Sequence, residues 1–334
     1  MSDILVSIVC NTYNHEEYIK DALDGFLMQK TNFKYEVLIH DDASTDSTAD
    51  IIRDYAKKYP GIIKPIYQIE NQYSKKNGMI RKLQTERIKG KYTALCEGDD
   101  YWIDENKLQR QVDFLENNPD YSLCIHAHNI VNAQTKEVIS QYNIHENDVD
   151  LTVPEIILKE GERMATNSML FRSYIYIDRP KEVLNFPVGD YPLAMYSAFC
   201  GKVRCFNQVM SAYRTMSKNS WSSNFMEESS QAYKKRIYLL RQLINNLDEL
   251  DVYTDKKYHK SFMTKQMVML NEIRAKAIKY NELNLFWETY SKLSLNKKKQ
   301  YIFFVLKRHF PSKLYKHYKG FKRNFKNKQK GFSC

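Results

Sequence analysis

Apolar runs of strand length alternate with segments of helical period through the first half of this chain. Such alternation is typical of a largely parallel sheet with helices on both faces, so we predict an α/β fold. The strand-like runs lie at 4–10, 35–40, 62–67, 92–96 and 122–128, with shorter candidates at 169–171 and 203–206. The helical segments lie at 18–27, 47–59, 79–89, from about 104 onward and at 192–199, and Asn14 is available to cap the first.

The pattern changes in the second half of the chain. Beyond about residue 129 the alternation weakens, and from Glu227 onward the apolar positions follow a helical period. We therefore predict two parts that meet near Asn224. Residues 1–224 form an α/β domain, and residues 225–334 form a helical region that ends in a basic amphipathic arm.

The composition favours a folded protein of the cytoplasm. Of the 334 residues, 43% are hydrophobic and 27% are charged, which is enough apolar surface for a sizeable core. The six cysteines are dispersed without a C-x-x-C pair, as expected for free thiols in a reducing compartment. No run of about 18 apolar residues occurs, so the sequence predicts no membrane-spanning helix.

The net charge of +11 is concentrated at the C-terminal end of the chain. Of the 51 basic residues, 14 follow Glu288 with no acidic residue among them, which leaves 37 basic against 40 acidic residues before it. Apolar residues recur in this arm at helical spacing: Leu314, Tyr318, Phe321 and Phe325. A helix from about Ser312 would suit an anionic membrane surface. Nucleic acid is a competing partner, and a disordered tail is the third possibility.

Three acidic residues follow the strand-like run at 92–96: Glu97, Asp99 and Asp100. A strand interior would not tolerate this density of carboxylates unless water, a metal or a basic partner offset their repulsion and desolvation. Hard oxygen ligands of this kind favour Mg²⁺ or Mn²⁺ shared with the phosphates of a substrate. The alternative is a solvated acidic turn that caps the helix starting near Asp104.

Two earlier strands also end in polar residues. The first delivers Asn11–Asn14 and the second delivers Asp41 and Asp42. Ligands of open α/β sheets bind outside the carboxyl ends of the strands, so we expect these loops and the acidic cluster to converge. The chain has no G-x-G-x-x-G after the first strand and no G-x-x-x-x-G-K-[ST], which argues against dinucleotide oxidoreductases and P-loop NTPases. Taken alone, Asp41–Ser44 is equally compatible with a helix N-terminus.

Three segments of the chain resemble the signatures of family 2 glycosyltransferases with the GT-A fold. They are IVCNTYN at 8–14, VLIHDDASTD at 37–46 and EGDDYW at 97–102, in the family's order and spacing. The resemblance covers roughly the first 130 residues. It implies a GT-A-like, mostly parallel sheet followed by a C-terminal helical region. It also implies inverting transfer of a sugar from a nucleotide donor, usually a UDP-sugar, with Mn²⁺ or Mg²⁺.

The resemblance also implies roles for individual residues. Asn11 and Tyr13 would flank the nucleotide base, and Asp42 would accept a hydrogen bond from the uracil N–H. Asp99 and Asp100 would serve the ribose, the diphosphate and the metal. The family's D-x-D usually begins with Asp where this chain has Glu97, which leaves open whether Glu97 reaches the metal directly or through water.

Inverting transfer needs a general base that takes a proton from the acceptor hydroxyl. Residues 186–193 look like the family segment in which this Asp precedes a helix, so Asp190 is our candidate. Asp190 could instead cap the helix at 192–199, and the two roles are compatible. Arg214 falls where family members often place groups near the diphosphate, although an exposed basic loop without that role is the alternative.

Other polar residues of the second half give weaker signals. The segment 166–168 could face the acceptor. His126 and His128 alternate with apolar residues on one predicted strand, and without a third ligand at a defined spacing we interpret them as structural rather than metal-binding.

The sequence thus predicts a metal-dependent inverting glycosyltransferase, of bacterial type, that lies at the inner face of the membrane. We expect a nucleotide-sugar donor, a glycan or lipid-linked acceptor for capsule or another surface polysaccharide, and no nucleic-acid partner. A sugar nucleotidyltransferase is the alternative enzyme, although residues 11–16 lack the glycine-rich, lysine-bearing loop that it would need. A nucleic-acid-binding protein that uses the basic arm is the alternative from another class.

Overall fold

The computed structural model describes residues 4–142, 146–158, 164–215 and 230–280, together with 282, 284 and 285. These residues fall into two compact units, one that ends at Lys265 and one that starts at Gln266. The predicted boundary near Asn224 lies outside the described residues, and the division into 1–224 and 225–334 stays a prediction. The arm after Glu288, with its helix from about Ser312, also lies outside them.

The described residues contain ten strands and eleven helices. The strands are β1 (Ile4–Thr12), β2 (Lys34–Asp41), β3 (Ile63–Tyr67), β4 (Tyr92–Leu95), β5 (Tyr101–Trp102), β6 (Tyr121–Asn132), β7 (Val138–Tyr142), β8 (Val149–Leu151), β9 (Leu170–Arg172) and β10 (Lys202–Thr215). The helices are α1 (Ile19–Leu27), α2 (Thr48–Lys58), α3 (Gln72–Lys75), α4 (Met79–Arg87), α5 (Lys107–Asn117), α6 (Val153–Leu158), α7 (Ser173–Ile177), α8 (Lys181–Leu184), α9 (Asp190–Cys200), α10 (Ser230–Tyr253) and α11 (His259–Lys279). A 3-10 turn covers Thr166–Ser168. In these ranges no helix is long and apolar enough to cross a membrane.

The strands form one sheet in the order β3-β2-β1-β4-β9-β6-β10-β5, with β7 paired to β6 and β8 paired to β10. The pairs β3-β2, β2-β1, β1-β4 and β6-β10 are parallel, whereas β9 and β5 run antiparallel to their neighbours. The predicted α/β class and the C-terminal helical region are confirmed. The parallel pairs are concentrated in the first half, where the helical crossovers connect successive strands.

Packing between α1 and Trp102 fixes the position of the acidic segment at 97–102. Helix α1 buries Phe26 against the Trp102 ring, with ring centroids 4.9 Å apart in an edge-to-face arrangement. A β-carbon on Gly25 would lie 3.0 Å from the backbone N and O of Trp102, so a larger residue there would push the two segments apart. This close contact holds the end of the acidic segment against α1.

Candidate active site

The loops that follow β1, β2 and β4 meet at the carboxyl edge of the parallel strands. The backbone N–H of Asp42 donates to the carbonyl of Thr12 over 3.0 Å, and the N–H of Gly98 donates to the carbonyl of Asn11 over 2.9 Å. The first bond continues the parallel pairing of β1 with β2, and the second continues that of β1 with β4, past the last paired residues of each. The end of β1 therefore lies at the centre of the site and is hydrogen-bonded to a polar loop on each side.

The β1 loop is locked to the β2 loop by side chains. Asn14 has a φ of 54° and its Oδ1 accepts the N–H of Thr45 over 2.8 Å. Its own N–H donates to Ser44 Oγ, which in turn donates to Asp41 Oδ1 over 2.6 Å. The prediction that Asn14 caps the first helix is wrong, because the residue before that helix is Tyr18 and Asn14 is used to join two loops.

Asp42 is buried, and its carboxylate holds the start of α3. Oδ1 accepts the N–H of Gln72 over 2.7 Å and Oδ2 accepts the N–H of Tyr73 over 2.9 Å. Each carboxylate oxygen can accept more than one hydrogen bond, so these contacts leave acceptor capacity on the residue. Tyr13 is 40% exposed beside this edge.

Glu97 interacts with residues of β1, of α9 and of its own turn, residues 97–100, which we call the acidic turn. Burial is the main reason that its pKa is raised to about 8, and the negative charges of Asp99 and Asp190 raise it further. A hydrogen bond from the Asn11 side chain opposes this rise because it stabilises the carboxylate. The structure therefore places four predicted site residues close enough to interact, although they are up to 179 positions apart in sequence.

Asp100 faces the interior rather than the edge of the site. Its Oδ1 accepts the backbone N–H of Arg214 over 2.8 Å and its Oδ2 accepts Asn167 Nδ2 over 2.9 Å. Burial, followed by the charge of Asp99, holds its pKa well above the usual range. The carboxylate of Asp100 thus joins the acidic turn to β10 and to the 3-10 turn.

Arg214 lies in the last positions of β10 with its side chain buried beneath the acidic turn. One guanidinium nitrogen donates to the carbonyl of Asp99 over 2.7 Å and another pairs with the carboxylate of Asp21. The guanidinium carbon lies 4.4 Å from the centre of the Tyr101 ring. Arg214 therefore stabilises the acidic turn from the protein interior. A direct contact of Arg214 with a nucleotide stays a prediction.

Asp190 is the first residue of α9, after Gly189 at the N-cap. Its Oδ1 accepts the N–H of Tyr191 over 2.7 Å. A carboxylate in the first turn of a helix is stabilised by the helix dipole and the unpaired N–H groups there. Because its charge acts on Glu97, Asp190 stands beside the acidic turn as well as at a helix start.

The model of a known family matches residues 7–179, more than half of the chain. Its description is glycosyl transferase family 2. The chain belongs to this family. The matched region spans β1 to the end of α7 and contains the three loops at the carboxyl edge.

Sequence relatives of this family 2 chain differ in how much is known of them. An uncharacterized protein of Mycobacterium tuberculosis is 36% identical over 223 residues, which is 66% of this chain and 62% of that protein. The chain therefore aligns with less than two thirds of that relative's length. The UDP-Glc:alpha-D-GlcNAc-diphosphoundecaprenol beta-1,3-glucosyltransferase WfaP of Escherichia coli is 35% identical over 112 residues, covering 34% of this chain and 41% of WfaP.

Among solved structures, TarS of Staphylococcus aureus in complex with UDP-GlcNAc shares the fold. The TM-score is 0.57 at 18% sequence identity, and the match covers 90% of this chain and 80% of the TarS chain. At this identity the similarity shows the GT-A fold alone.

The family 2 chain offers carboxylates for a divalent cation, but not as the predicted trio. In the described ranges no three His, Cys, Asp or Glu side chains are grouped so that they could hold a metal ion. Glu97 and Asp99 are half-buried at the edge, whereas Asp100 is occupied by protein donors. Mg²⁺ and Mn²⁺ are commonly held by one or two carboxylates together with substrate phosphates, so the pair fits such an ion. The raised pKa of Glu97 agrees, because a nearby cation would offset the repulsion.

The two histidines of β6 are part of the interior. His126 and His128 are both buried, and His128 stacks on Tyr142 with ring centroids 5.4 Å apart. Burial lowers the pKa of His128 to about 4 and holds that of His126 well below its usual range. Neutral, packed imidazoles agree with the structural interpretation.

The sequence did not indicate the contacts that two buried amides, Asn167 and Gln84, make in the site. Asn167 joins Asp100, Ser211 Oγ and the indole N–H of Trp102, so it does not face an acceptor as the segment 166–168 was expected to do. Gln84 of α4 reaches across the sheet to Asn11. Neither amide carries a sequence signal of its own, because a polar residue in a short turn or on a helix is ordinarily exposed.

Proposed function

We propose that this chain transfers a sugar, with inversion, from a nucleotide donor to an acceptor hydroxyl. A UDP-sugar is the proposed donor, and a lipid-linked glycan in the synthesis of capsule or another bacterial surface polysaccharide is the proposed acceptor. The observation that carries the proposal is that the loops after β1, β2 and β4 meet at the carboxyl edge of the sheet, where Asp42 is hydrogen-bonded to Thr12 and Gly98 to Asn11. Family membership supports sugar transfer as the reaction.

The nucleotide is assigned to the loops after β1 and β2. Asp42 would accept the uracil N–H with the acceptor capacity that α3 leaves on its carboxylate. Tyr13 offers an exposed ring beside this edge, on which a base could stack. Asn11, near the end of β1, would flank the base together with Tyr13.

The diphosphate is assigned to the acidic turn, where Asp99 and Glu97 would hold Mn²⁺ or Mg²⁺. Such an ion would neutralise the charge that develops on the departing diphosphate. Asp100 and Arg214 would hold the turn in position from the protein interior, through their contacts with Asn167 and with the carbonyl of Asp99.

Asp190 is assigned the proton transfer. Its carboxylate would take the proton of the acceptor hydroxyl while the acceptor oxygen bonds to the anomeric carbon and the bond from that carbon to the diphosphate oxygen breaks. Because the attack comes from the face opposite the leaving group, the configuration inverts. The charge of Asp190 acts on Glu97, which supports a position for Asp190 near the diphosphate site.

The acceptor and its location rest on two observations. WfaP, a partial relative, is named for transfer to a sugar on diphosphoundecaprenol, which is a lipid carrier. The 14 basic residues after Glu288 would bring this chain to an anionic membrane surface at the inner face of the membrane, where such acceptors lie.

A panel of nucleotide sugars tests the proposal. We expect one UDP-sugar to be hydrolysed slowly when Mn²⁺ or Mg²⁺ is present and to raise the melting temperature of the protein. Addition of EDTA should abolish both effects. Hydrolysis and stabilisation by none of the nucleotide sugars, with either ion, would overturn the proposal.

A further inference from the structure

Gln84 is a fully buried amide that bridges the two central strands of the site edge. Its Nε2 lies 3.3 Å from the carbonyl oxygen of Cys10 in β1 and 3.1 Å from that of Leu38 in β2. Its Oε1 accepts a hydrogen bond from Arg87 over 3.1 Å. Arg87 itself donates to the carbonyls of Ile39 and Lys64.

These contacts determine which way the Gln84 amide points. Carbonyl oxygens only accept and a guanidinium only donates, so the NH₂ group must face Cys10 and Leu38 and the oxygen must face Arg87. The reversed amide would place oxygen against oxygen and nitrogen against nitrogen. The orientation of Gln84 is therefore fixed by backbone groups and one Arg.

The orientation of Asn11 follows from that of Gln84. Gln84 Nε2 also lies 3.1 Å from Asn11 Oδ1, so its two hydrogens are shared among three oxygen acceptors, and the oxygen of the Asn11 amide is turned toward α4. The NH₂ group of Asn11 is then left on the opposite side, and a hydrogen bond from this side chain lowers the pKa of Glu97 against the effect of burial. With Asn11 reversed, two NH₂ groups would meet at Gln84 and an amide oxygen would meet a carboxylate.

We propose that Gln84 is a positioning residue for Glu97, acting through Asn11. The relay runs from the backbone of β1 and β2 through the two amides to the carboxylate, and it holds that carboxylate toward the position of the divalent cation. The inference rests on the proposed function, because it assigns the relay to metal and diphosphate binding at that same site. It concerns a residue that never touches the ligand.

Two substitutions and one control test the relay. Gln84→Met keeps the length of the side chain and removes both hydrogen-bonding functions, and Asn11→Ala removes the middle of the relay. Gln29→Met is the matched control, since Gln29 is buried and its Nε2 likewise donates to two backbone carbonyls, those of Gly25 and Asp104.

The first readout is the side-chain amide NMR signal of Asn11, identified as the pair of resonances missing from Asn11→Ala. We expect this pair to shift in Gln84→Met and to stay in place in Gln29→Met. This readout needs neither metal nor nucleotide. An unshifted Asn11 pair in folded Gln84→Met would overturn the relay.

The second readout is the Mn²⁺ concentration that half-saturates binding in the presence of excess UDP. Loss of a residue that orients a metal ligand typically weakens metal binding roughly 10- to 100-fold, and we expect a loss of about tenfold for Gln84→Met and for Asn11→Ala. Gln29→Met should match the parent. The double variant should be no weaker than Asn11→Ala alone, because both changes break one relay.

The outcomes separate the relay from the function on which it rests. Full additivity in the double variant, or an equal loss in Gln29→Met, would contradict the relay. If Gln84→Met does not fold, Asn11→Ala must show the tenfold loss by itself, and parent-like Mn²⁺ binding there would contradict it. A parent protein that binds no UDP with Mn²⁺ would overturn the proposed function, while the amide signal would still decide the relay.

Discussion

Glu97 is the residue at which the contacts of the site converge. It interacts with Asn11 near the end of β1, with Asp99 of its own turn and with Asp190 of α9. A glutamate is one methylene longer than the aspartate usual at this position of the family, and the Asn11 amide gives the longer side chain a fixed partner. Burial, followed by the negative charges of Asp99 and Asp190, disfavours the ionised form of Glu97 and raises its pKa.

The raised pKa of Glu97 makes a prediction about stability and pH. A carboxyl with a folded-state pKa of about 8 binds its proton more tightly in the folded than in the unfolded protein, where the pKa is about 4.3. Its contribution to stability is therefore present at low pH and is lost as pH rises toward 8. We expect Glu97→Gln to lose less unfolding free energy than the parent between pH 5 and pH 8, measured by urea unfolding without divalent ions.

Glu86→Gln, at an exposed position of α4, is the control for this experiment. It should follow the parent over the same pH range. If Glu97→Gln showed the same pH dependence as the parent, the carboxyl of Glu97 would be ionised like any surface glutamate, and the burial argument would be wrong.

Asp190→Asn tests the general base. Asparagine keeps an oxygen that can accept the N–H of Tyr191, so α9 should still start at the same residue. We expect UDP affinity close to that of the parent and sugar transfer lowered by about 10²- to 10⁴-fold, the usual range for a general base. Steady-state kinetics with titration calorimetry measures both, and Asp178→Asn at an exposed position is the control. A comparable loss of UDP binding, or a large drop in melting temperature, would favour the helix-start role instead.

The sequence grouped the candidate site residues at the carboxyl edge of the sheet, where the structure also has them, but it could not show which way their side chains point. Residues that follow buried parallel strands must emerge at one edge, which is why Asn11, Asp42 and Glu97 could be grouped without a structure. Asp99 and Asp100 are adjacent and chemically alike, yet only Asp100 is held inward. That difference depends on Asn167 and Arg214, whose distance from Asp100 is set by the tertiary fold and by no local pattern.

At the scale of elements, Gly98 allows the acidic turn to approach β1. A β-carbon there would lie 2.6 Å from Thr12 Oγ1 and 2.7 Å from Thr12 Cβ. We expect Gly98→Ala to lower the free energy of unfolding by about 1–3 kcal/mol, the range for overpacking, and to weaken UDP–Mn²⁺ binding because the turn must shift. Urea unfolding and calorimetry measure the two effects.

Gly61→Ala provides the comparison, since a β-carbon at Gly61 would meet no atom within 4 Å. This substitution should change stability by no more than about 0.5 kcal/mol and leave UDP binding intact. Equal behaviour of the two alanine variants would show that the turn after β4 has room to spare, contrary to the packing described above.

Elements with a strong hydrophobic period were predictable and the pairing of short strands was not. The runs at 4–10 and 35–40 correspond to β1 and β2, whose parallel pairing is the usual result of a helical crossover. The candidate strand at 169–171 corresponds to β9, but its place between β4 and β6 depends on contacts more than 40 residues away. Strand β5 has two residues, too few to show a period.

At the scale of the whole molecule, charge separates the two ends of the chain. All assigned site residues lie at or before Arg214, whereas the excess of positive charge follows Glu288. We expect deletion from Lys307 onward to leave transfer to a soluble acceptor analogue unchanged and to abolish sedimentation with vesicles of anionic lipid. The intact protein should sediment with these vesicles, be released as salt screens the attraction, and bind neutral vesicles little.

Phe321→Ser combined with Phe325→Ser should remove the binding that remains at high salt, since that fraction depends on the apolar face. Equal sedimentation of intact and truncated protein would contradict the membrane role of the arm. Tighter binding to RNA than to anionic vesicles would favour the nucleic-acid alternative.

The proposed nucleotide-sugar site is tested most directly by calorimetric titration of UDP into the parent protein and into Asp99→Asn, with and without Mn²⁺. Asp113→Asn, an exposed aspartate on α5, serves as the control. We expect Mn²⁺ to tighten UDP binding in the parent and in Asp113→Asn, and we expect Asp99→Asn to stay folded but to lose most of this gain. If Asp99→Asn bound UDP with Mn²⁺ as tightly as the parent, the nucleotide-sugar site would not lie at the carboxyl edge of β1, β2 and β4.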